Sequence, residues 1–224
     1  MLNFYGRRSP RNTKLSELKE LENSIFFINH SKISEINKII NFKKTVNLEI
    51  GFGEGLNIFH QSMKNKDIIF FGCDPYIKGS LNLKKEVEKN EMKNLFFSNL
   101  TFNEILAEKA KFLFETVLIL FPDPWPKKKH KKRRLINKNF VENLSSITED
   151  DTNIIVSTDC DDYLNQILYS FYINKDFRLS TSFVGDEIIK KFGIQVTKYY
   201  KKAQIKKKKS YFLLFKKKKT KKIY

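Results

Sequence analysis

The chain has 224 residues, 41% of them apolar and 30% charged, and 43 Lys and Arg against 25 Asp and Glu give a formal net charge of +18. This length suits one globular domain of above-average size, and the balance excludes both an unfolded low-hydrophobicity chain and a membrane-spanning one, which needs about 18 consecutive apolar residues. The charge is segregated: Lys127 to Arg134, KKKHKKRR, holds seven basic residues and Lys198 to Tyr224 holds thirteen lysines without an acid, which leaves the other 189 residues at −2.

The first twenty residues contain no continuous apolar stretch of the kind a secretory leader needs. The chain is therefore expected in the cytoplasm, with Cys73 and Cys160 as free thiols. Short apolar segments alternate with longer amphipathic ones, the pattern of a doubly wound α/β domain. Helical periodicity covers about Leu15 to Glu22 and Ile33 to Ile40 after a basic start at Arg7, Arg8 and Arg11. Strands are predicted at Thr45 to Ile50, Ile68 to Cys73, Asn94 to Ser98 and Thr116 to Phe121. Helices are predicted after the glycine loop to about Lys64, after Asp74, and over Phe102 to Lys111. Beyond the insertion FPDPWPKKKHKKRR the rhythm resumes with a helix near Asn137 to Leu144, a strand at Asn153 to Ser157 and a helix at Tyr163 to Tyr172. Late strands follow at Leu179 to Val184 and Tyr211 to Phe215, so that about seven strands, mostly parallel, carry helices on both faces.

Gly51, Gly53 and Gly55 lie directly after the first strand, whose Glu49 stands near its carboxyl end. Glycine there permits a tight strand-to-helix turn and a close approach of ligand to backbone, at the sheet edge where open α/β proteins bind ligands. Asp74 ends the next strand and is placed to accept from both hydroxyls of a ribose. The spacing fits a dinucleotide or an S-adenosylmethionine type of cofactor. GFGEG lacks the sixth-position glycine that closes a helix onto a pyrophosphate, and an acid before the first glycine suits a cationic, phosphate-free cofactor. These two features favour S-adenosylmethionine, with a dinucleotide and a purely structural turn as the remaining alternatives.

The segment Phe121 to Arg134 contains three of the five prolines and the only tryptophan. Pro122, Pro124 and Pro126 stiffen an extended loop beyond the fourth strand, with Asp123 between them. Trp125 offers a surface on which a base can stack, and the cations that follow suit a phosphate backbone. A rigid turn with a capping Asp is the bland alternative for the loop. Compositional bias is the bland alternative for the tail, since 37 of the 43 basic residues are Lys.

LEIGFGEG, FPDPWPKKKHKKRR, STDCDDY and the late TKYY together resemble the bacterial tRNA (guanine-N7)-methyltransferases, from about Val46 to Phe215. The resemblance implies a Rossmann-like class I methyltransferase domain over residues 33–216, after a basic extension and first helix at 1–32 and before a Lys-rich tail at 217–224. It implies transfer of a methyl group from S-adenosylmethionine to N7 of a variable-loop guanine in tRNA. Glu49, Gly51, Gly53, Gly55, Asp74 and Asp123 then match cofactor-binding positions, and Asp123 the acid placed in the active site. Lys127, Asp159, Thr197, Lys198 and Tyr199 match substrate-binding positions. Lys128, Lys129, Lys131, Lys132, Arg133 and Arg134 are the expected RNA-binding run. Two positions depart from the family: Tyr200 stands where a Glu usually ends the late motif, and Thr101 stands where a third cofactor acid is usual, with Asn99 as its nearest substitute. Weaker affinity for cofactor or substrate is expected from these changes, rather than inactivity.

The implied reaction needs no base, because guanine N7 is already an unprotonated lone pair. Positioning dominates, and a carboxylate such as Asp123 or Asp159 can stabilise the cationic purine that forms and accept from N1 and N2. Asp161 and Asp162 are expected to cap the helix after them. His30, His60 and His130 are scattered without metal-ligand spacing, and no metal is expected. The expected partner is tRNA, with no membrane and no obligatory protein partner, as a monomer or homodimer. Other readings are a methyltransferase acting on rRNA or on an exocyclic amine, a non-catalytic RNA-binding relative, which would be expected to lack these acids, and a nicotinamide dehydrogenase, which GFGEG disfavours.

Overall fold

The computed structural model describes residues 5–6, 8–10, 12–32, 45–107, 114–184, 187–195 and 198–219. They pack as two compact units, residues 1–112 and 113–224. In the first, α1 (Leu15–Asn23) precedes β1 (Val46–Ile50), α2 (Leu56–Lys64), β2 (Ile69–Cys73), α3 (Ile77–Lys89), β3 (Leu95–Ser98) and α4 (Phe102–Ala107). All residues of the three strands are buried, which is why they read as unbroken apolar runs. β1 pairs parallel with β2, Val46 opposite Ile69, and β2 with β3, Phe70 opposite Leu95. α3 buries Ile77, Ser80, Leu83 and Val87, one stripe at helical spacing. Three of these, Ile77, Leu83 and Val87, share a core cluster with Phe52, Ile58, Phe70 and Phe97.

The second unit holds β4 (Phe114–Leu120), a 3-10 helix (Lys128–Arg133), α5 (Lys138–Ser146), β5 (Thr148–Thr158), α6 (Asp161–Tyr172), β6 (Phe177–Val184), α7 (Glu187–Phe192), α8 (Lys198–Ile205) and β7 (Tyr211–Lys217). β4 runs parallel to β5, and β7 lies antiparallel to both β5 and β6. The seven strands form a mixed, mostly parallel sheet flanked by helices, a Rossmann-like α/β fold. Asn137 caps α5 through its side chain, which accepts from the Phe140 N–H at 3.1 Å.

The predicted strands all occur, with altered limits. β5 starts five residues before the predicted Asn153, because a bulge between Phe114 and Thr116 and a left-handed Asp151 (φ 64°) let a polar segment pair. The 3-10 helix, α7 and α8 were not anticipated, since their Lys-rich sequences carry little apolar periodicity. The predicted helix at Ile33 to Ile40 lies outside the described residues, as does the end of the one predicted over Phe102 to Lys111.

Candidate active site

Of the residues expected at the site, Glu49, Gly51, Gly53, Gly55 and Asp74 belong to the first unit. The glycines adopt φ of 78°, 60° and 85°, the left-handed region that disfavours other residues. Gly55 also abuts Leu83, which a Cβ would meet at 2.5 Å, and a Cβ on Gly79 of α3 would come within 1.9 Å of the Gly53 carbonyl oxygen. Gly79 thus lets α3 press against the loop, a requirement that its helical sequence context concealed. Asp74 braces the same loop: its Oδ2 accepts from the Gly53 N–H and its Oδ1 from the Tyr76 N–H, both at 2.8 Å.

Glu49 is 3% exposed, and its Oε2 accepts from Asn57 Nδ2 at 2.7 Å. Burial pushes its pKa up to about 7, the Asn57 hydrogen bond opposes this, and the Asp74 charge reinforces it. A buried carboxylate short of compensating positive charge, with a second carboxylate near it and a glycine loop beside it, fits a cationic cofactor such as S-adenosylmethionine. Thr101, one of the two departures, is engaged elsewhere. Its Oγ1 accepts from the Glu104 N–H at 3.1 Å and its own N–H donates to Glu104 Oε2 at 2.6 Å, a reciprocal cap at the start of α4. Burial alone would raise the Glu104 pKa, but the Thr101 bonds and the Arg8 guanidinium at 2.8 Å together hold it below the usual value. Arg8 also accepts from the Ile77 N–H through its carbonyl at 2.8 Å, so the N-terminal segment bridges α3 and the start of α4. Sequence reasoning missed this clasp.

Asp123, Lys127, Asp159 and the basic run belong to the second unit. Phe121 and Trp125 both have positive φ, 51° and 41°, so the loop around Asp123 is strained at each end. Each end is anchored. The Phe121 N–H donates to the Ser157 carbonyl at 3.1 Å and to Ser157 Oγ at 3.0 Å, and its ring packs on Tyr200 and Phe212 with centroids 6.0 and 5.8 Å away. At the other end Arg134 Nε donates to the Pro124 carbonyl at 2.8 Å. Asp123 between them is exposed, yet the surrounding protein removes enough water from its carboxyl to raise its pKa above the ordinary value.

Arg134 corrects the expectation of a phosphate contact. It is 2% exposed, it bonds Gln166 Oε1 at 3.0 Å, the Asp162 carbonyl at 3.4 Å and the Asp162 carboxylate, and its guanidinium lies 4.9 Å from the centre of the Tyr163 ring. Its donors are committed to protein acceptors, so it is a structural hub for the loop. Arg134→Leu is expected to destabilise the protein by about 2 to 3 kcal/mol, because the Pro124 carbonyl and the Gln166 amide lose their partner while Asp162 stays hydrated. Chemical denaturation measures this, and a loss below about 0.5 kcal/mol would contradict the role.

The other cations divide. Lys127, Lys128, Lys129 and Lys132 are exposed, Lys131 pairs with Asp162 at 2.7 Å, and Arg133 lies 4.9 Å over the Trp125 ring. His130 meets that ring edge-on at 5.8 Å, so Trp125 is partly covered rather than an open stacking platform. Asp162 therefore serves the loop, and Asp161 accepts from the Tyr211 hydroxyl, whose pKa rises in consequence; both acids stand in the first turn of α6, where their charge suits the helix N-terminus as expected, while their side chains also make these contacts. Asp159 pairs with Lys208 at 3.6 Å. Tyr200 is 4% exposed in a cluster with Leu118, Leu120 and Phe212. Where a carboxylate was expected, the chain places an aromatic wedge under the loop. Thr197 lies outside the described residues, and Lys198 and Tyr199 open α8.

A family profile described as "Putative methyltransferase" matches residues 43–213. A tRNA (guanine-N(7)-)-methyltransferase of Wolbachia pipientis wMel is 37% identical over 163 residues, covering 73% of this chain and 72% of the relative. One of Neorickettsia sennetsu is 36% identical over 169 residues, covering 75% and 74%. Among solved structures, the 16S rRNA methyltransferase KamB superposes with a TM-score of 0.61 at 10% identity, over 83% of this chain and 94% of that one, a likeness of fold.

Proposed function

We propose, from the premise that this chain belongs to the class I S-adenosylmethionine-dependent methyltransferases, that it methylates N7 of a guanine in tRNA. The observation that carries the reading is the anchored, strained loop that presents the exposed carboxylate of Asp123 next to the exposed Lys127, Lys128 and Lys129. The names of the two relatives support the choice of base and atom. When bound, S-adenosylmethionine supplies a methyl group on a sulfonium, already activated for displacement. Glu49 and Asp74 would hold it, the first by charge and the second through ribose hydroxyls. Asp123 would accept from N1 and N2 of the base, orient N7, and stabilise the positive charge that the purine gains. No residue need remove a proton, because N7 carries none. Rate then comes from alignment, which can lower a barrier by about 7 to 11 kcal/mol in ideal cases.

The test is incubation of bulk tRNA with methyl-labelled S-adenosylmethionine, followed by chemical cleavage at 7-methylguanosine. Cleavage at a variable-loop guanine in proportion to label is the expected result. Label in rRNA only, or in tRNA without such cleavage, would overturn the assignment of target.

A further inference from the structure

Two basic segments of the second unit meet at the start of α6. From one side Lys131 reaches Asp162; from the other Lys208 stands 3.6 Å from Asp159, two residues before the helix begins. Lys208 belongs to the turn that ends α8, and this turn is built in a specific way. The Lys208 N–H donates to the Ala203 carbonyl at 3.0 Å and the Lys207 N–H to the Gln204 carbonyl at 2.9 Å, while Lys207 has φ 51°. That pair of bonds with a left-handed residue is the helix ending for which glycine is the ordinary choice, since glycine lacks the Cβ that crowds the carbonyl. Here the position is a lysine, and Lys206, Lys207, Lys208 and Lys209 are all exposed. Ala203 beneath and Ser210 after the turn are buried, so the four cations sit on a fixed element.

Composition bias accounts for lysines on a solvated face, and a helix C-terminus favours cations. Neither accounts for a lysine held in the backbone region where its side chain costs stability. The Lys208 pair with Asp159 is itself exchangeable, because its side chains are 51% and 29% exposed and such pairs contribute little in water.

We propose that the Lys206–Lys209 turn is a second phosphate-contact surface for RNA, and that Lys208 exchanges Asp159 for a phosphate, uncovering the Asp159 carboxylate as RNA binds. This rests on the reading of the substrate as RNA but not on which atom is methylated. It gives Lys206–Lys209, part of the thirteen-lysine segment from Lys198 to Tyr224, a structural reason beyond composition.

The test is the salt dependence of tRNA binding by the full chain, followed by fluorescence anisotropy without a methyl donor. Changing Lys206, Lys207, Lys208 and Lys209 together to Gln should lower the slope of log K against log salt by about 3, since each phosphate contact contributes roughly 0.7 to 0.9. Lys207→Gly is the sharper variant. It relieves the left-handed strain and removes one charge, so the melting temperature should rise by a few degrees while tRNA binds a few-fold more weakly. A turn with a merely structural role predicts the rise without the loss. The exchange is tested by a cycle: whatever contact the Asp159 carboxylate makes with substrate, Asp159→Asn should favour tRNA binding about two- to five-fold more in the chain with Lys208 than in the Lys208→Gln background. An unchanged slope in the quadruple variant would overturn the surface, and a cycle without coupling would overturn the exchange. Either outcome is independent of where the methyl label falls, and reduced slopes with no 7-methylguanosine would instead sink the choice of target.

Discussion

Glu49→Gln is expected to stabilise the ligand-free protein above neutral pH and to weaken binding of S-adenosylmethionine. The folded-state pKa of Glu49 is raised from 4.5 to about 7, chiefly by burial. For a group shifted upward, the stabilising contribution is fully present below the unfolded value and is lost as pH rises through the folded one. Between pH 4.5 and about 7 the protein should therefore lose about 3 kcal/mol from this group alone, at 1.36 kcal/mol for each tenfold change in proton affinity. Glutamine cannot ionise, and its carbonyl oxygen can still accept from Asn57 Nδ2, so the variant should be free of that loss. Melting curves across this range should be flatter for the variant and cross above the wild type near the upper end. Calorimetric titration should find cofactor binding weakened at least about tenfold, since one of the two negative charges that a cationic ligand would meet is gone and only Asp74 remains. A variant less stable than wild type at about pH 8 would show that the carboxylate is compensated in a way its surroundings do not reveal. The trade is ordinary for a functional site, where a group that costs stability is kept for the ligand it serves.

Strands buried on both faces were the most legible part of this chain, because an unbroken run such as TVLILF has few other uses. The glycine loop and Asp74 were legible for a related reason: residues in left-handed conformations and acids at strand ends leave spacing that survives in one dimension. What was not legible depended on contacts distant in sequence. Arg134 sits in a basic run where nothing local separates it from its neighbours; only the Pro124 carbonyl, Asp162 and Gln166 make it a buried hub. Tyr200 read as a lost carboxylate, and its packing against Phe121 and Phe212 required α8 and β7 to be placed first. The first half of β5, TEDDT, carries too much charge to look like a strand and pairs because the bulge beside Phe114 admits it.

Asp123→Asn is expected to leave stability and tRNA affinity nearly unchanged while lowering the rate of methyl transfer by a factor on the order of 10² to 10³, the usual effect of removing one preorganised electrostatic contact. The side chain is exposed, and the loop around it is held through Phe121 and the Pro124 carbonyl, neither of which the substitution touches. Melting temperature should accordingly stay within about a degree, as for other exposed substitutions. The effect should fall on kcat with KM for tRNA preserved, because the amide can still accept from one donor of guanine but carries no charge to set against the growing cation. The pH dependence offers a second signature. Partial desolvation raises the Asp123 pKa, so at saturating cofactor, where Glu49 is already engaged, the acid limb of the wild-type rate profile should lie above the ordinary Asp value and be lost in Asp123→Asn. Rate retained within about threefold of wild type would remove Asp123 from the chemistry, whatever its place in the loop. A loss shared equally between KM and stability would instead show that its role is to hold the loop, the part already assigned to Arg134.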